Sequence, residues 1–108
     1  DYVSSSGKAI AASSYDISAR IMSMGKLHHA MTGTGAVAIA VACSIEGTIP
    51  SNLLTGGASN AICFGHPSGT LKVGAESARV NEEWSVKKAI MSRSARRLMD
   101  GSVLVPLE

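Results

Sequence analysis

Aromatic side chains are nearly missing from this sequence: one Phe, one Trp and two Tyr make up 4% of 108 residues. A core for such a chain has to be filled by Ala, Val, Ile, Leu and Met, so it is expected to be fine-grained and close-packed. Cysteine is scarce too. Cys43 and Cys63 form no Cys-x-x-Cys pair, and two reduced thiols are expected rather than a disulfide framework. Long apolar runs are absent. The longest apolar run falls far short of the roughly 20 residues a bilayer needs, so no membrane span is expected. Charge of one sign is also weak. A net charge of +2 and a pI near 8.7 do not argue for nucleic acid by themselves. The opening "DYVSSSGKAI" is polar and does not read as a signal peptide, so a cytoplasmic protein is expected. Asp1 stands where an initiator Met would, as expected of a piece cut from a longer chain. At 108 residues the chain is read as one modest domain spanning 1–108.

What the sequence does have is concentrated in "MTGTGAVAIAVACSIEG", Met31 to Gly47. A Thr-Gly-Thr-Gly entry runs into small apolar residues, and every residue from Ala36 to Val41 is apolar. Thr32 or Thr34 can cap a helix here, because a hydroxyl accepts from an orphan backbone N–H. The helix is expected at about 35–45, with Gly47 as a left-handed exit and Pro50 just beyond. A helix with no polar face belongs inside something.

Strands are expected on both sides of it. "YVSSSGKAIAA" reads as a hairpin turning at Ser6-Gly7. "DISARIMSM" alternates apolar Ile17, Ala19 and Ile21 with polar Ser18 and Arg20, a strand period. "AICFGH", "GTLKVGAES" and "WSVKKAIMSRSARRLMDGSVLVP" follow, with Asn81-Glu82-Glu83 as a link and Asp100-Gly101 as a hairpin turn. The result is an α+β domain: a curved, mostly antiparallel sheet around one central buried helix.

Four places carry polar chemistry. Thr32, Gly33, Thr34 and Gly35 leave bare backbone N–H groups beside hydroxyls at the positive end of a helix dipole, which suits a carboxylate or phosphate. The alternative is a well-capped helix whose glycines serve packing. "GHPSGT" places His66, Ser68, Gly69 and Thr70 on one turn, and the alternative is an ordinary tight hairpin. No acid lies near His66 in sequence, so a catalytic triad is unsupported. Lys26 and His28 precede the helix mouth and are candidate proton-transfer groups. His28 and His29 should point to opposite sides of an extended chain, so no metal site is expected from them. Finally, Lys87, Lys88, Arg93, Arg96 and Arg97 have no interleaved aromatic residue to stack a base. They read as charge that defends strand edges, and no nucleic-acid partner is expected.

Three blocks, "ARIMSMGKLHHAMTGTGAVAIAVACSIEGTIPSN", "FGHPSGTLKVGAE" and "KKAIMSRSARRLMDGSVLVP", together resemble the C-terminal part of the methylaconitate cis–trans isomerase (PrpF) family. That group includes 4-oxalomesaconate tautomerases and methylitaconate isomerases. The resemblance covers nearly the whole chain, with its blocks in the family's order. It implies a diaminopimelate epimerase-like fold, in which each of two halves wraps a sheet around a central helix and the active site lies in the cleft between them. It also exposes a departure. The epimerases carry a Cys just before Gly-Thr-Gly-Ala, and Thr32 stands there in this chain. A hydroxyl, with a pKa far above that of a thiol, does not take an α-proton near neutral pH, so two-thiol racemisation is disfavoured.

The resemblance places the proton-shuttling Lys and Cys in an N-terminal half that these residues do not include. The activity it implies is an allylic proton shift, without cofactor, on a small unsaturated di- or tricarboxylate. This chain would supply substrate-carboxylate binding, at the helix mouth and on the "GHPSGT" loop, and be catalytically silent or nearly so by itself. Its expected partners are a small carboxylate and either the missing half or a second copy. The competing expectation is a non-catalytic homodimeric module that binds small anions or recruits another protein.

Overall fold

The computed structural model describes residues 1–106. Eight strands and two α-helices run in the order β1 (Tyr2–Val3), β2 (Ala9–Ile10), β3 (Ile17–Ser18), β4 (Met22–Ser23), β5 (Lys26–Leu27), α1 (Gly33–Cys43), α2 (Ile49–Asn52), β6 (Ala61–His66), β7 (Gly69–Val80) and β8 (Glu83–Met91). The expected α+β class holds. The main sheet has the order β3-β6-β7-β8, antiparallel except for the parallel β3–β6 pair. β1–β2 and β4–β5 are separate antiparallel hairpins.

The alternation of β6 and β7 decides which face is buried. Ile62 lies opposite Val73 and Phe64 opposite Leu71 on one face, while Cys63 lies opposite Lys72 on the other. The first face carries α1. Ile62, Phe64, Val73 and Ala75 form one cluster with Met31, Ala36, Ala40 and Cys43. The only Phe is thus the centre of the core, fully buried beneath a helix face of alanines.

Two expectations about α1 need correction. It begins at Gly33 and ends at Cys43, two residues earlier at each end than expected. Thr32 is the N-cap in backbone conformation, yet its hydroxyl makes no capping bond. The early end has a local cause: Thr48 Oγ1 lies 2.5 Å from Ala42 O and 3.0 Å from Ile45 O, satisfying carbonyls that another turn would have used. Gly47 still makes its left-handed bend, at φ 82°. The second correction concerns enclosure. Ala36, Ala40 and Cys43 are buried, but Thr34 and Ala38 are exposed and Val37 and Val41 are half-buried. The sheet covers one side of α1 and leaves the other apolar side open.

The strand expected over Asp16–Met24 is divided. Ile17, Ala19 and Ile21 pack against the core as their alternation requires. Past Ala19 the chain leaves β6 and turns back as the β4–β5 hairpin, with Met24 at φ 51° and Gly25 at φ 76°. Consecutive positive φ values match the right-handed twist of a two-residue hairpin. Asn81 (φ 50°) and Glu82 (φ 68°) do the same between β7 and β8. The register of that pair shifts at Glu76/Ser77, and β8 forms the sheet edge with Lys87 and Lys88 exposed, as the edge-defence reading expects.

Asp100-Gly101 forms no hairpin. Residues 92–106 contain no strand, and Arg97 Nη1 reaches Asp100 Oδ2 at 3.0 Å across an exposed bend. A hairpin needs an apolar surface on which to lay one face. Leu98, Met99, Val103, Leu104 and Val105 find none among the described residues and stay exposed.

Gly65 permits one close approach that fixes the sheet. A Cβ there would lie 2.9 Å from Tyr15 Cγ and 3.0 Å from Tyr15 Cδ1, so the ring lies directly on the β6 backbone. Gly65→Ala should destabilise the chain by about 1–3 kcal/mol, the range for overpacking a well-filled site. In Tyr15→Ala the same change should cost much less, which a double-mutant cycle by chemical denaturation reads directly.

Candidate functional site

The mouth of α1 is built from several segments of the chain. Met31 and the N-cap Thr32 lead in, and Ala36 N donates to Thr32 O at 2.8 Å to close the first turn. Gly35 is packed tightly: a Cβ there would lie 2.5 Å from Ile21 Cδ1 and 2.6 Å from Thr32 Oγ1. The packing role foreseen for the glycines therefore belongs to Gly35. Gly33 faces a different neighbour. A Cβ there would lie 3.0 Å from Met91 Cε and 3.9 Å from Arg93 Nη2. Beside it opens a cavity of about 310 Å³ lined by Met31, Gly33, Leu71, Met91 and the Ser92–Ser94 segment. Its walls are methionine and leucine, and its polar groups are two serine hydroxyls and a guanidinium.

The sequence pattern marks Arg93 as edge charge. The β8 strand carries it instead to the helix mouth. Met91 lies opposite Val73, so β8 ends beside the entry to α1 and the next two residues reach Gly33. Only the β7–β8 register gives this proximity.

The "GHPSGT" turn does not line that cavity, whose only β7 residue is Leu71. It is braced instead from two sides. The Tyr2 hydroxyl lies 2.8 Å from His66 O and 2.5 Å from Gly69 O, and Ser5 N donates to Pro67 O at 2.7 Å. On the other side, Ser68 Oγ donates to His29 O. The turn thereby holds the segment that enters α1. Thr70 lies opposite Gly65 on the outer face.

His66 is buried, and Ser68 N donates to its Nδ1 at 3.2 Å. Burial lowers its pKa below the ordinary histidine value, opposed by its bond with the Thr70 backbone, while the Arg20 guanidinium lowers it further. That environment keeps the ring neutral.

Lys26 is exposed in the β4–β5 hairpin, opposite Ser23. His28 turns back on its own chain: Nδ1 lies 2.7 Å from Ala30 O and 3.2 Å from Ala30 N. The expected divergence of His28 and His29 is overturned. Their rings stack at 4.7 Å between centroids, because the chain bends at His29 instead of continuing extended. Among the described residues, no three of His, Cys, Asp and Glu are grouped to hold a metal ion. No described helix is long and apolar enough to cross a membrane.

Both thiols are held protonated. Burial raises the Cys43 pKa, and the Asp16 carboxylate adds to the effect. Cys63 lies on the outer face in a second cavity of about 350 Å³, with Asp16, Lys72 and Ile90 among its walls. Burial and then Asp16 raise its pKa, against the opposing Lys72 charge and a bond from Thr70. Neither cysteine is poised as a base near neutral pH.

Comparisons with known proteins agree on one relationship. The family profile described as "PrpF protein" matches residues 1–106. The chain is 62% identical to the 2-methyl-aconitate isomerase of Cupriavidus necator, over 98% of this chain and 27% of that protein. It is 59% identical to the Shewanella oneidensis enzyme of the same name, over 97% and 26%. It is 35% identical to the 3-methylitaconate isomerase of Eubacterium barkeri, over 97% and 27%. The crystal structure of a methylitaconate-delta-isomerase superposes with a TM-score of 0.72 at 35% identity, covering 94% of this chain and 26% of that one. The chain spans about a quarter of the length of these relatives.

The depressed His66 pKa has a stability consequence. Above an unfolded-state pKa of about 6.5, the ring is neutral in both states. As pH falls below that value, the unfolded chain takes up the proton first and the folded chain loses stability. The loss is complete once pH has passed the lower folded pKa. The melting temperature should therefore drop as pH is taken from 7 towards 5, and His66→Asn should flatten that part of the profile.

Proposed function

The chain belongs to the PrpF family, and from that premise we propose that it supplies the substrate-carboxylate site of an isomerase acting on small unsaturated di- or tricarboxylates. The observation that carries the proposal is the open cavity at the positive end of α1. The Gly33 backbone at the start of the first helical turn and the Arg93 guanidinium meet there, beside Met31, Leu71 and Met91. Donors held in place before the ligand arrives stabilise charge without reorganising. Thr32, Gly33, Thr34 and Gly35 form the mouth in this reading. His66, Ser68, Gly69 and Thr70 form the turn that holds its approach.

The reaction proposed is an allylic proton shift. A base removes a proton from one carbon, the double bond migrates, and an acid returns a proton at the far end, with no net change in oxidation state. The carboxylate nearest the cleaved C–H bond gains charge as the proton leaves, and that is the charge a helix mouth stabilises. The base and acid are assigned to residues outside this chain. Cys43 and Cys63 are held protonated, Lys26 is in an exposed hairpin, and His28 is bonded to its own backbone.

A second reading has its own support. The open side of α1 and the exposed Met22, Met24, Trp84 and Val86 present apolar surface suited to another protein mass. Either the remainder of a two-half enzyme or a second copy of the chain would cover it. Sedimentation over a range of concentrations separates a self-associating chain from a monomer.

Mesaconate and tricarballylate should raise the melting temperature of the chain. A ligand at a hundred times its dissociation constant stabilises by about 2.7 kcal/mol. No shift with any di- or tricarboxylate would overturn the binding assignment. In deuterium oxide the chain by itself should incorporate no deuterium into mesaconate. Incorporation would place proton transfer within these residues, and Lys26→Ala and His28→Ala would then locate it.

A further inference from the structure

We infer that the Asp100-Gly101 link is a site of spontaneous backbone modification: Asp100 isomerises there to isoaspartate, and the Arg97 guanidinium slows the change. Asp100 does not line the cavity at the α1 mouth, so this site is separate from the one proposed above.

Three observations support it. Asp-Gly occurs once in the chain, whereas Asp1 and Asp16 precede Tyr2 and Ile17, whose side chains crowd the amide that would have to attack. Glycine has no Cβ, so its nitrogen can approach the preceding carboxyl group. The backbone at Asp100 is also unrestrained. Residues 92–106 contain no helix or strand, and Asp100 and Gly101 are both exposed. A Cβ on Gly101 would meet nothing within 4 Å, and among the described residues Gly101 N donates to no backbone carbonyl. The third observation is the contrast between carboxylates. Asp16 Oδ2 accepts from Cys63 N at 2.7 Å within the fold, while Asp100 Oδ2 meets only Arg97 Nη1, at 3.0 Å, with the two side chains 77% and 79% exposed.

The chemistry balances without an oxidant or reductant. In the neutral acid, Gly101 N attacks Asp100 Cγ. The N–Cγ bond forms, the Cγ–OH bond breaks, and the hydroxyl leaves as water with the amide proton. Water then opens the cyclic succinimide. Breaking the N–Cγ bond restores aspartate. Breaking the bond from that nitrogen to the Asp100 main-chain carbonyl leaves the chain running through Cγ, with a free α-carboxylate. Arg97 opposes the first step, because a carboxylate engaged with a guanidinium is not the neutral acid the attack requires. An exposed pair contributes little and opens readily, so the protection is partial. The modified chain is one carbon longer between Leu98-Met99 and Val103. That insertion would slip the register of any strand built from this segment.

The test ages the whole chain in neutral buffer at physiological temperature. An isoaspartyl carboxyl methyltransferase with labelled S-adenosylmethionine then tags isoaspartate, and peptide mapping locates the label. Label should accumulate with time at position 100 and at neither Asp1 nor Asp16. Gly101→Val should remove nearly all of it, because a branched side chain hinders the attack. Arg97→Gln should raise the rate by up to about fivefold, the scale of one exposed ion pair. Arg96→Gln should match wild type, since Arg96 has no part in the pair. All three positions are exposed, so the variants should keep the wild-type melting temperature. Absence of label at position 100 would overturn the site, as would equal labelling of wild type and Gly101→Val. Equal rates in wild type and Arg97→Gln would overturn the role of Arg97.

Discussion

The architecture depends on how closely an alanine face can approach a sheet. Ala36 and Ala40 present only methyl groups toward Phe64, Ile62, Val73 and Ala75, and every one of these is nearly or fully buried. Dispersion contacts fall off steeply with distance, so a larger residue at either position would lift the helix and forfeit contacts along its length. A chain with a single Phe cannot fill a wide gap with bulky rings. It closes the gap by bringing backbone to backbone. That approach fixes where the first turn of α1 stands relative to the end of β8, and so where a cavity can form.

The polar elements around this core position the chain and leave the helix mouth open. Ser68 grips His29, the Tyr2 hydroxyl and Ser5 grip the Gly65–Thr70 turn, and Asp16 anchors the start of β3 through Cys63 N at 2.7 Å. Among the described residues, no buried side-chain polar atom lacks a partner. Arg93, at a cavity edge, lies outside that buried set and is exposed to solvent. Satisfied buried groups hold the structure in place.

The charge environments also divide the chemistry. Burial and Asp16 keep both thiols protonated, and burial with Arg20 keeps His66 neutral. The helix mouth has a guanidinium beside it and no thiol among its lining residues. That pattern agrees with the role proposed above, in which this chain binds a carboxylate and another part of the protein moves the proton. The fold shared with a methylitaconate-delta-isomerase covers 26% of that chain.

Much of this was legible in the sequence. The alternation of Ile17, Ala19 and Ile21, the apolar rod after Thr-Gly-Thr-Gly and the Gly47 exit each follow from local periodicity or backbone preference. The α+β class follows from their order. Tertiary structure decided the rest, for reasons of distance along the chain. Thr48, five residues past Cys43, ended α1 early by taking its last carbonyls. A bend at His29 stacked two rings that an extended chain would have parted. The exposed flank of α1 depended on how far one sheet could wrap, which no helical pattern states. Arg93 met Gly33 across sixty residues only because β7 and β8 pair in one register. The sequence by itself determined which segments could be helix, strand or turn, because those preferences act over a few bonds. Which charges and glycines would face one another was decided by packing, because contacts between distant segments exist only once the chain has folded.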